Sequence, residues 1–293
     1  MNILLTAIGK RIQLIKHLKR NWEVIGTDAD ELIAGKNFVD SFYNIPKYNE
    51  KGYIQKLLRI CEKEKVDFLV PLYEKEFITL CNSREDFFKI GTQLILSSKK
   101  IIEICNDKWK SYKFFKDNNI DIPLSYSKEE LEHILKENKN INFPLIIKPL
   151  DGMGSNGVFK INNLKELLFF KDYVKNPIIQ EFVEGKEYTI DVLCDLNSNI
   201  ISIVPRLRME VRSGEVVKSR TEKHEKIIKS TFSLCEKLRE CGNIRGPLTI
   251  QCIITKYGQI KFIEINPRFG GGVPLTFKAG VDYGEYFIKM RKS

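Results

Sequence analysis

Over its first 97 residues the chain alternates short apolar runs, each a strand long, with segments whose apolar residues recur at helical spacing. Ile3 to Thr6 reads as a strand, and Leu14, Ile15 and Leu18 lie on one helical face. Glu23 to Thr27 is a second strand, and Ile54, Leu57, Leu58 and Cys61 mark a second helix. Val66 to Pro71 and Gln93 to Ser97 add two further strands. Strands separated by helices pair through crossovers rather than hairpins, so the pattern predicts a parallel sheet wrapped by helices. At 293 residues and 43% apolar content, the chain has material for two or three domains.

This Rossmann-like half carries no G-x-G-x-x-G, because its first strand-to-helix turn is only Thr6-Ala7-Ile8-Gly9-Lys10-Arg11. Gly9 is expected simply to make that turn, and Asp28 after the second strand does not suffice for dinucleotide binding. No apolar run is long enough to cross a bilayer, so no membrane association is expected. The order of apolar and basic residues at the N-terminus reverses that of a secretory signal. Seven cysteines without a C-x-x-C pair point to reduced, mostly buried thiols and a cytoplasmic protein. His17, His133 and His224 are spaced for neither a metal centre nor a Ser-His-Asp triad, which leaves oxygen donors for any metal. The net charge of +10 suits a polyanion, but the lysines are scattered and no aromatic-interleaved basic stripe exists. A solvated lysine surface is expected rather than a nucleic-acid groove, with the charge still favouring a small anionic ligand.

After residue 97 the pattern changes. Ser97 or Ser98 is placed to cap a short helix, and Asp107 to cap another that carries Trp109, Tyr112 and Phe115. Ser127 and Glu130 have the spacing of a capping box. Residues 142–183 read as strand, glycine-rich loop, strand, helix and strand. Glu187 to Arg212 forms a hairpin around residues 195–199, and a long helix is expected from about Glu222 to Glu240. Two more strands join at Lys256-Tyr257-Gly258-Gln259.

Three segments carry candidate chemistry. In the first, a buried strand ends in Lys148 and runs into Gly152, Gly154, Ser155 and Gly157, which brings backbone N–H groups and one ammonium to phosphate oxygens. It is not a Walker A loop, since the Lys precedes the glycines, and a plain glycine turn is the competing reading. In the second, Ile178 to Val183 offers a strand edge able to pair with an adenine. Glu187 and Asp191 follow, able to reach a ribose hydroxyl or equally to face solvent. In the third, Gln251 stands on one strand and Glu264 and Asn266 stand two apart on the next, a hard-oxygen set that suits Mg2+ once phosphates and water complete the octahedron. Arg268, two residues on, could hold a transferring phosphoryl group or a carboxylate, although an E-x-N-P run is also a common turn. Among the cations Arg206, Arg208, Arg212, Lys218 and Arg220, Arg212 and Lys218 are candidates to bind a substrate carboxylate or phosphate, against the reading of a diffuse basic surface.

Lys148, the loop 151–157, residues 181–187 and Glu264-Ile265-Asn266-Pro267-Arg268, in this order after a Rossmann-like half, resemble the ATP-grasp superfamily, and within it the proteins related to one ATP-grasp half of the carbamoyl phosphate synthase large subunit. The resemblance implies a mixed α/β and α+β protein: a pre-ATP-grasp domain over residues 1–97 and an ATP-grasp domain over 98–293, with a mobile lid at about 113–183 and a core at about 184–293. It implies that Lys108 and Lys148 bind phosphates, that residues 152–157 fold over the triphosphate, and that Glu181, Phe182 and Val183 meet the adenine. Glu187 would meet the ribose. Gln251, Glu264 and Asn266 would hold Mg2+, with Mn2+ as a substitute, and Arg268 would assist phosphoryl transfer with Asn266. The implied activity is an ADP-forming carboxylate-amine ligase that acts through an acyl phosphate on an amino acid or other small acid. Phosphorylation of bicarbonate or carbamate and a non-catalytic ATP-binding module are the alternatives, and a homodimer is left open. The chain has a single ATP-grasp unit, and Phe269-Gly270-Gly271-Gly272 replaces a Ser-rich run of the synthase, so a different acceptor pocket, opened by glycine backbone to a bulky substrate, is expected.

Overall fold

The computed structural model describes residues 1–137, 139–150, 157–212 and 214–292. The first part contains β1 (Asn2–Thr6), α1 (Ile12–Leu18), β2 (Glu23–Asp28), β3 (Ser41–Asn44), α2 (Tyr53–Lys63), β4 (Phe68–Pro71), α3 (Phe77–Asn82), α4 (Arg84–Lys89) and β5 (Gln93–Leu94). Its strands form one parallel sheet in the order β3-β2-β1-β4-β5. The expected strands are present, with two differences. β3 was not anticipated: it is a four-residue edge strand without a fully buried residue, so no apolar run betrays it. The last strand pairs over only two residues, although the Ile95 N–H still reaches the Leu69 carbonyl at 2.9 Å. Side-chain alternation divides the sheet. Leu4, Ile25 and Leu69 face α2, while Ile3, Leu5, Val24, Phe68 and Val70 face α1 and the far end of the chain. Gly9 makes the β1–α1 turn at φ +39°, and its N–H donates to the Asp28 carboxylate at 3.0 Å, so Asp28, at the end of β2, is engaged by the β1–α1 turn.

The chain continues through α5 (Lys99–Asn106), α6 (Lys108–Asp117), β6 (Ser125–Tyr126), α7 (Lys128–Lys136), β7 (Leu145–Pro149), β8 (Phe159–Ile161), α8 (Leu164–Tyr173) and β9 (Pro177–Glu181). Asp107 caps α6, accepting from the N–H groups of Trp109 at 2.8 Å and Lys110 at 3.0 Å, and the Ser127–Glu130 capping box opens α7. Ser98 stands at the N-cap of α5 but makes no side-chain cap bond; Ser97 instead accepts from the Arg245 N–H at 3.1 Å. The four strands form a small antiparallel sheet, β6-β9-β7-β8, around a core of its own made of Leu131, Leu145, Ile147, Ile161, Leu167 and Ile179. β9 is therefore interior and not the edge expected from its sequence, because the two-residue β6 pairs with it at Ser125–Gln180 and Tyr126–Ile179.

The last part comprises β10 (Gly185–Cys194), β11 (Ile200–Arg212), β12 (Glu215–Thr221), α9 (Glu225–Cys241), β13 (Gly246–Thr255), β14 (Ile260–Asn266), α10 (Pro274–Lys278) and α11 (Tyr283–Lys292). The strands form an antiparallel sheet in the order β12-β11-β10-β13-β14. α9 starts three residues later than expected, where His224 Nδ1 accepts from the Ile227 N–H at 3.3 Å. One face of the sheet, with Tyr188, Ile190, Ile250, Cys252 and Ile265, packs under α9, α5 and α6. The chain then returns to the first sheet, where Phe269, Tyr283, Phe287 and Met290 join the core around Ile3, Trp22 and Phe68. No helix among the described residues is long and apolar enough to cross a membrane.

Candidate functional site

On β10, β13 and β14 the period of two that sends Tyr188, Ile250 and Ile265 into the core turns Glu187, Thr189, Asp191, Gln251, Glu264 and Asn266 to the other face. Gln251 lies directly across from Glu264 in the β13–β14 register, and Asn266 Nδ2 donates to Glu264 Oε1 at 3.0 Å. The bond fixes the Asn266 amide so that its oxygen is left for a ligand. Among the described residues no cluster of three or more His, Cys, Asp or Glu side chains could hold a metal by itself. One carboxylate with two amide oxygens is a sparse, hard donor set, and it fits Mg2+ when phosphate oxygens and water supply the remaining positions.

The small sheet presents Lys148 to this face. Lys148 is 9% exposed, and its ammonium donates to Gln180 Oε1 on β9 at 3.0 Å, while Gln180 Nε2 donates to Ser125 Oγ at 2.8 Å. Burial pushes its pKa down to about 8, opposed by the nearby Glu264 and Glu187 carboxylates and reinforced by the Lys108 ammonium. Lys108, first residue of α6, donates to the Leu150 carbonyl at 3.0 Å. Both lysines line a crevice between the sheets with Tyr112, Ile178, Gln180 and Phe262. Glu181 pairs with Lys261 of β14 across the same gap. Its N–H donates to the Leu124 carbonyl at 2.8 Å, the Phe182 N–H donates to the Pro144 carbonyl at 3.1 Å, and Lys160 lies 4.0 Å over the Phe182 ring. Val183 follows on the same connection into β10.

Glu187 accepts from Arg208 Nε at 2.8 Å. Asp191 lies beneath the site, bound in two places by the fully buried Arg206 at 2.7 and 3.1 Å and also accepting from Thr276 Oγ1. The loop 270–272 packs against this pair at two of its three glycines. A Cβ on Gly272 would come 2.1 Å from Arg206 Nη1, and one on Gly270 would come 3.0 Å from Thr249 Oγ1. These two glycines let the loop close on a buried ion pair rather than widening an acceptor pocket, as the sequence had suggested; only exposed Gly271 has room, with Arg11 Nη1 3.9 Å away. Arg268 donates through Nε to Glu74 of the first domain at 2.7 Å. Arg212 and Lys218 are exposed near the tip of the β11–β12 hairpin, and both pair with Glu210. Gly157 takes φ +72° just before β8, whereas Gly152, Gly154 and Ser155 lie outside the described residues.

The structure thus brings together Lys108, Lys148, Glu187 and Glu264 from four separate sequence segments, with Gln251 and Asn266 alongside Glu264. Gln180, Lys261 and Glu74 were not singled out in the sequence. Gln180 and Lys261 sit in ordinary strand patterns, and Glu74 is 194 residues from its partner, so no local signal marks them.

Residues 105–272 match the ATP-grasp domain family and residues 3–95 match the PylC-like N-terminal domain. A carbamoyl phosphate synthase large chain from Thermoanaerobacter sp. (strain X514) is 27% identical over 79% of this chain, which spans only 22% of that protein's length. A D-alanine–D-alanine ligase from Fusobacterium nucleatum is 25% identical over 84% of this chain and 86% of its own. The solved biotin carboxylase of Campylobacter jejuni superposes with a TM-score of 0.77 at 18% identity, covering 99% of this chain and 70% of that one. With the order of elements, the face shared by Gln251, Glu264 and Asn266 and a domain match over more than half its length, the chain belongs to the ATP-grasp family.

Proposed function

We propose that the protein is an ADP-forming, Mg2+- and ATP-dependent carboxylate-amine ligase that acts on an amino acid or another small acid. The observation that carries this reading is the convergence of the Lys108 and Lys148 ammonium groups with Glu264 between two sheets, an arrangement of charge that matches a polyphosphate and its counterion. The relatives named above include a ligase whose name joins two amino acids, over nearly its whole length.

On this reading Lys108 and Lys148 hold phosphate oxygens, and the loop 152–157, with Gly152, Gly154, Ser155 and Gly157, covers them. The N–H groups of Glu181 and Phe182 are engaged by neighbouring carbonyls, so pairing with the base falls to the Glu181 carbonyl and the Val183 N–H, with the Phe182 ring beside them. Glu187 receives the ribose. Gln251, Glu264 and Asn266 would hold Mg2+, which neutralises phosphate charge when bound. Arg268 offers its guanidinium to the phosphoryl group as it moves from ATP to the acid's carboxylate oxygen, giving ADP and an acyl phosphate. An amine then attacks the acyl carbon, losing a proton as phosphate leaves. Catalysis of this kind rests on positioning and charge, and it needs no Ser or Cys nucleophile. Arg212 and Lys218, on the β11–β12 hairpin, meet the carboxylate of the incoming acid. The free thiols suit a cytoplasmic setting.

The likeness to carbamoyl phosphate synthase supports a second reading, phosphorylation of bicarbonate or carbamate. ADP release measured with a panel of L- and D-amino acids, against bicarbonate with ammonia, separates the two. Glu264→Gln should lower turnover on the order of 100-fold. Lys148→Ala should weaken MgADP binding roughly 30-fold, the worth of one charged hydrogen bond of about 2 kcal/mol. A wild-type chain that binds no MgADP in calorimetry refutes the proposal.

A further inference from the structure

The turn Glu74–Glu76 follows β4 at the place where the strand order of the first sheet reverses, between β1 and β4. Open α/β sheets form their ligand crevices at the carboxyl ends of the strands flanking such a reversal. The turn is firmly held. Glu76 is 3% exposed and accepts hydrogen bonds from Thr6 Oγ1 at the end of β1, from Tyr53 OH on α2 and from the Tyr73 N–H at 3.2 Å. Its neighbour Glu74 is anchored by the same turn but sends its carboxylate out of the first domain, to Arg268 Nε at 2.7 Å. The two side chains are only 14% and 20% exposed, so the pair is shielded from competing water.

Arg268 has two further fixed points. Its Nη1 donates to the Phe269 carbonyl at 3.2 Å, and its own carbonyl accepts from Thr249 Oγ1 at 2.9 Å. A guanidinium is planar, so a bond at Nε and another at Nη1 set the direction of its remaining N–H groups. Of these two bonds, the one at Nε is the charged one and comes from outside the ATP-grasp core.

We propose that Glu74 is a positioning residue for Arg268: it aims the guanidinium at the transferring phosphoryl group and so makes the N-terminal domain a working part of the transfer site. The proposal rests on the reading of Arg268 given above. A plain interdomain ion pair would tie the domains together without favouring one state of the phosphoryl group, and this difference can be measured on the full chain.

Calorimetric titration with MgADP, and with MgADP plus aluminium fluoride as a mimic of the group in transfer, gives a ratio of affinities that domain tethering does not move. Glu74→Gln keeps the shape and removes the charge; it should leave MgADP affinity within about twofold of wild type yet cut the fluoroaluminate tightening about tenfold. Glu74→Asp keeps the charge and should recover part of that loss. In an Arg268→Ala background Glu74→Gln should have no further effect, because Glu74 acts only through the arginine. Full tightening in Glu74→Gln, or an equal loss in the Arg268→Ala background, overturns the role of Glu74 while leaving the nucleotide site intact. Failure of the wild type to bind MgADP overturns the nucleotide reading and this proposal with it.

Discussion

Lys148 holds a charge where little water reaches it. Burial lowers its pKa from 10.5 to about 8, so the folded chain releases a proton that the unfolded chain keeps up to about pH 10.5. The ammonium therefore costs stability below about pH 8, and that cost is relieved as the pH rises from 8 to 10.5. Phosphate binding depends on the charged form and has the opposite slope. MgADP affinity is expected to be flat below pH 8 and to fall about tenfold per pH unit above it; in Lys148→Arg, whose guanidinium stays charged, the profile should stay flat to pH 9.5. Titrations between pH 7 and 9.5 that show the same slope in both proteins would remove Lys148 from the phosphate site. Lys148 and Glu264 were legible in the sequence because each sits at a strand end beside a loop rich in glycine or proline. Their partners were not. Gln180 looks like any polar residue in a strand, and Glu74 meets Arg268 only after two domains have packed.

Elements were read best where the signal was local. Asp107 is a clear case, since an N-cap acts over three residues and needs no tertiary contact. Asp107→Ala should cost about 1 kcal/mol and lower the melting temperature by about 2–3 °C, with Asp107→Asn close to wild type. It should also loosen the first turn of α6, which carries Lys108, and so weaken MgADP binding; an unaltered melting curve for Asp107→Ala would mean that the cap contributes nothing. β6 and the interior position of β9 were illegible for the converse reason. Two residues carry no periodicity, and whether a strand lies at an edge is decided by what pairs with it. The constraint on Gly272 is illegible for the same reason, because it comes from Arg206, far away in sequence.

At the scale of the molecule, three sheets are held in two unequal ways. The small sheet encloses its own core, whereas the first sheet shares one with the end of the chain. Trp22 Nε1 donates to the Gly284 carbonyl at 2.9 Å, the Tyr283 N–H donates to His17 Nε2 at 3.1 Å, and Arg291 Nε donates to Asp67 at 2.9 Å. His17 also stacks on Phe277 with ring centroids 3.9 Å apart. The first sheet and the ATP-grasp core are therefore expected to unfold together. Thermal melts followed by fluorescence in Trp109→Phe, where Trp22 reports the junction, and in Trp22→Phe, where Trp109 reports α6, should agree in midpoint once each variant's own calorimetric stability is allowed for. Two separated transitions in calorimetry of the wild type would show that the domains are independent.

The shared core also sets an order of events on the ribosome. The first sheet is complete by Leu94, yet the face bearing Trp22 and Phe68 is only partly covered by α1 until Tyr283, Phe287 and Met290 have been made. At translation speeds of about 5–20 residues per second that interval lasts about 10–40 s. During it the nascent chain shows an apolar surface that its own last helix will later cover, the kind of surface on which holding chaperones act.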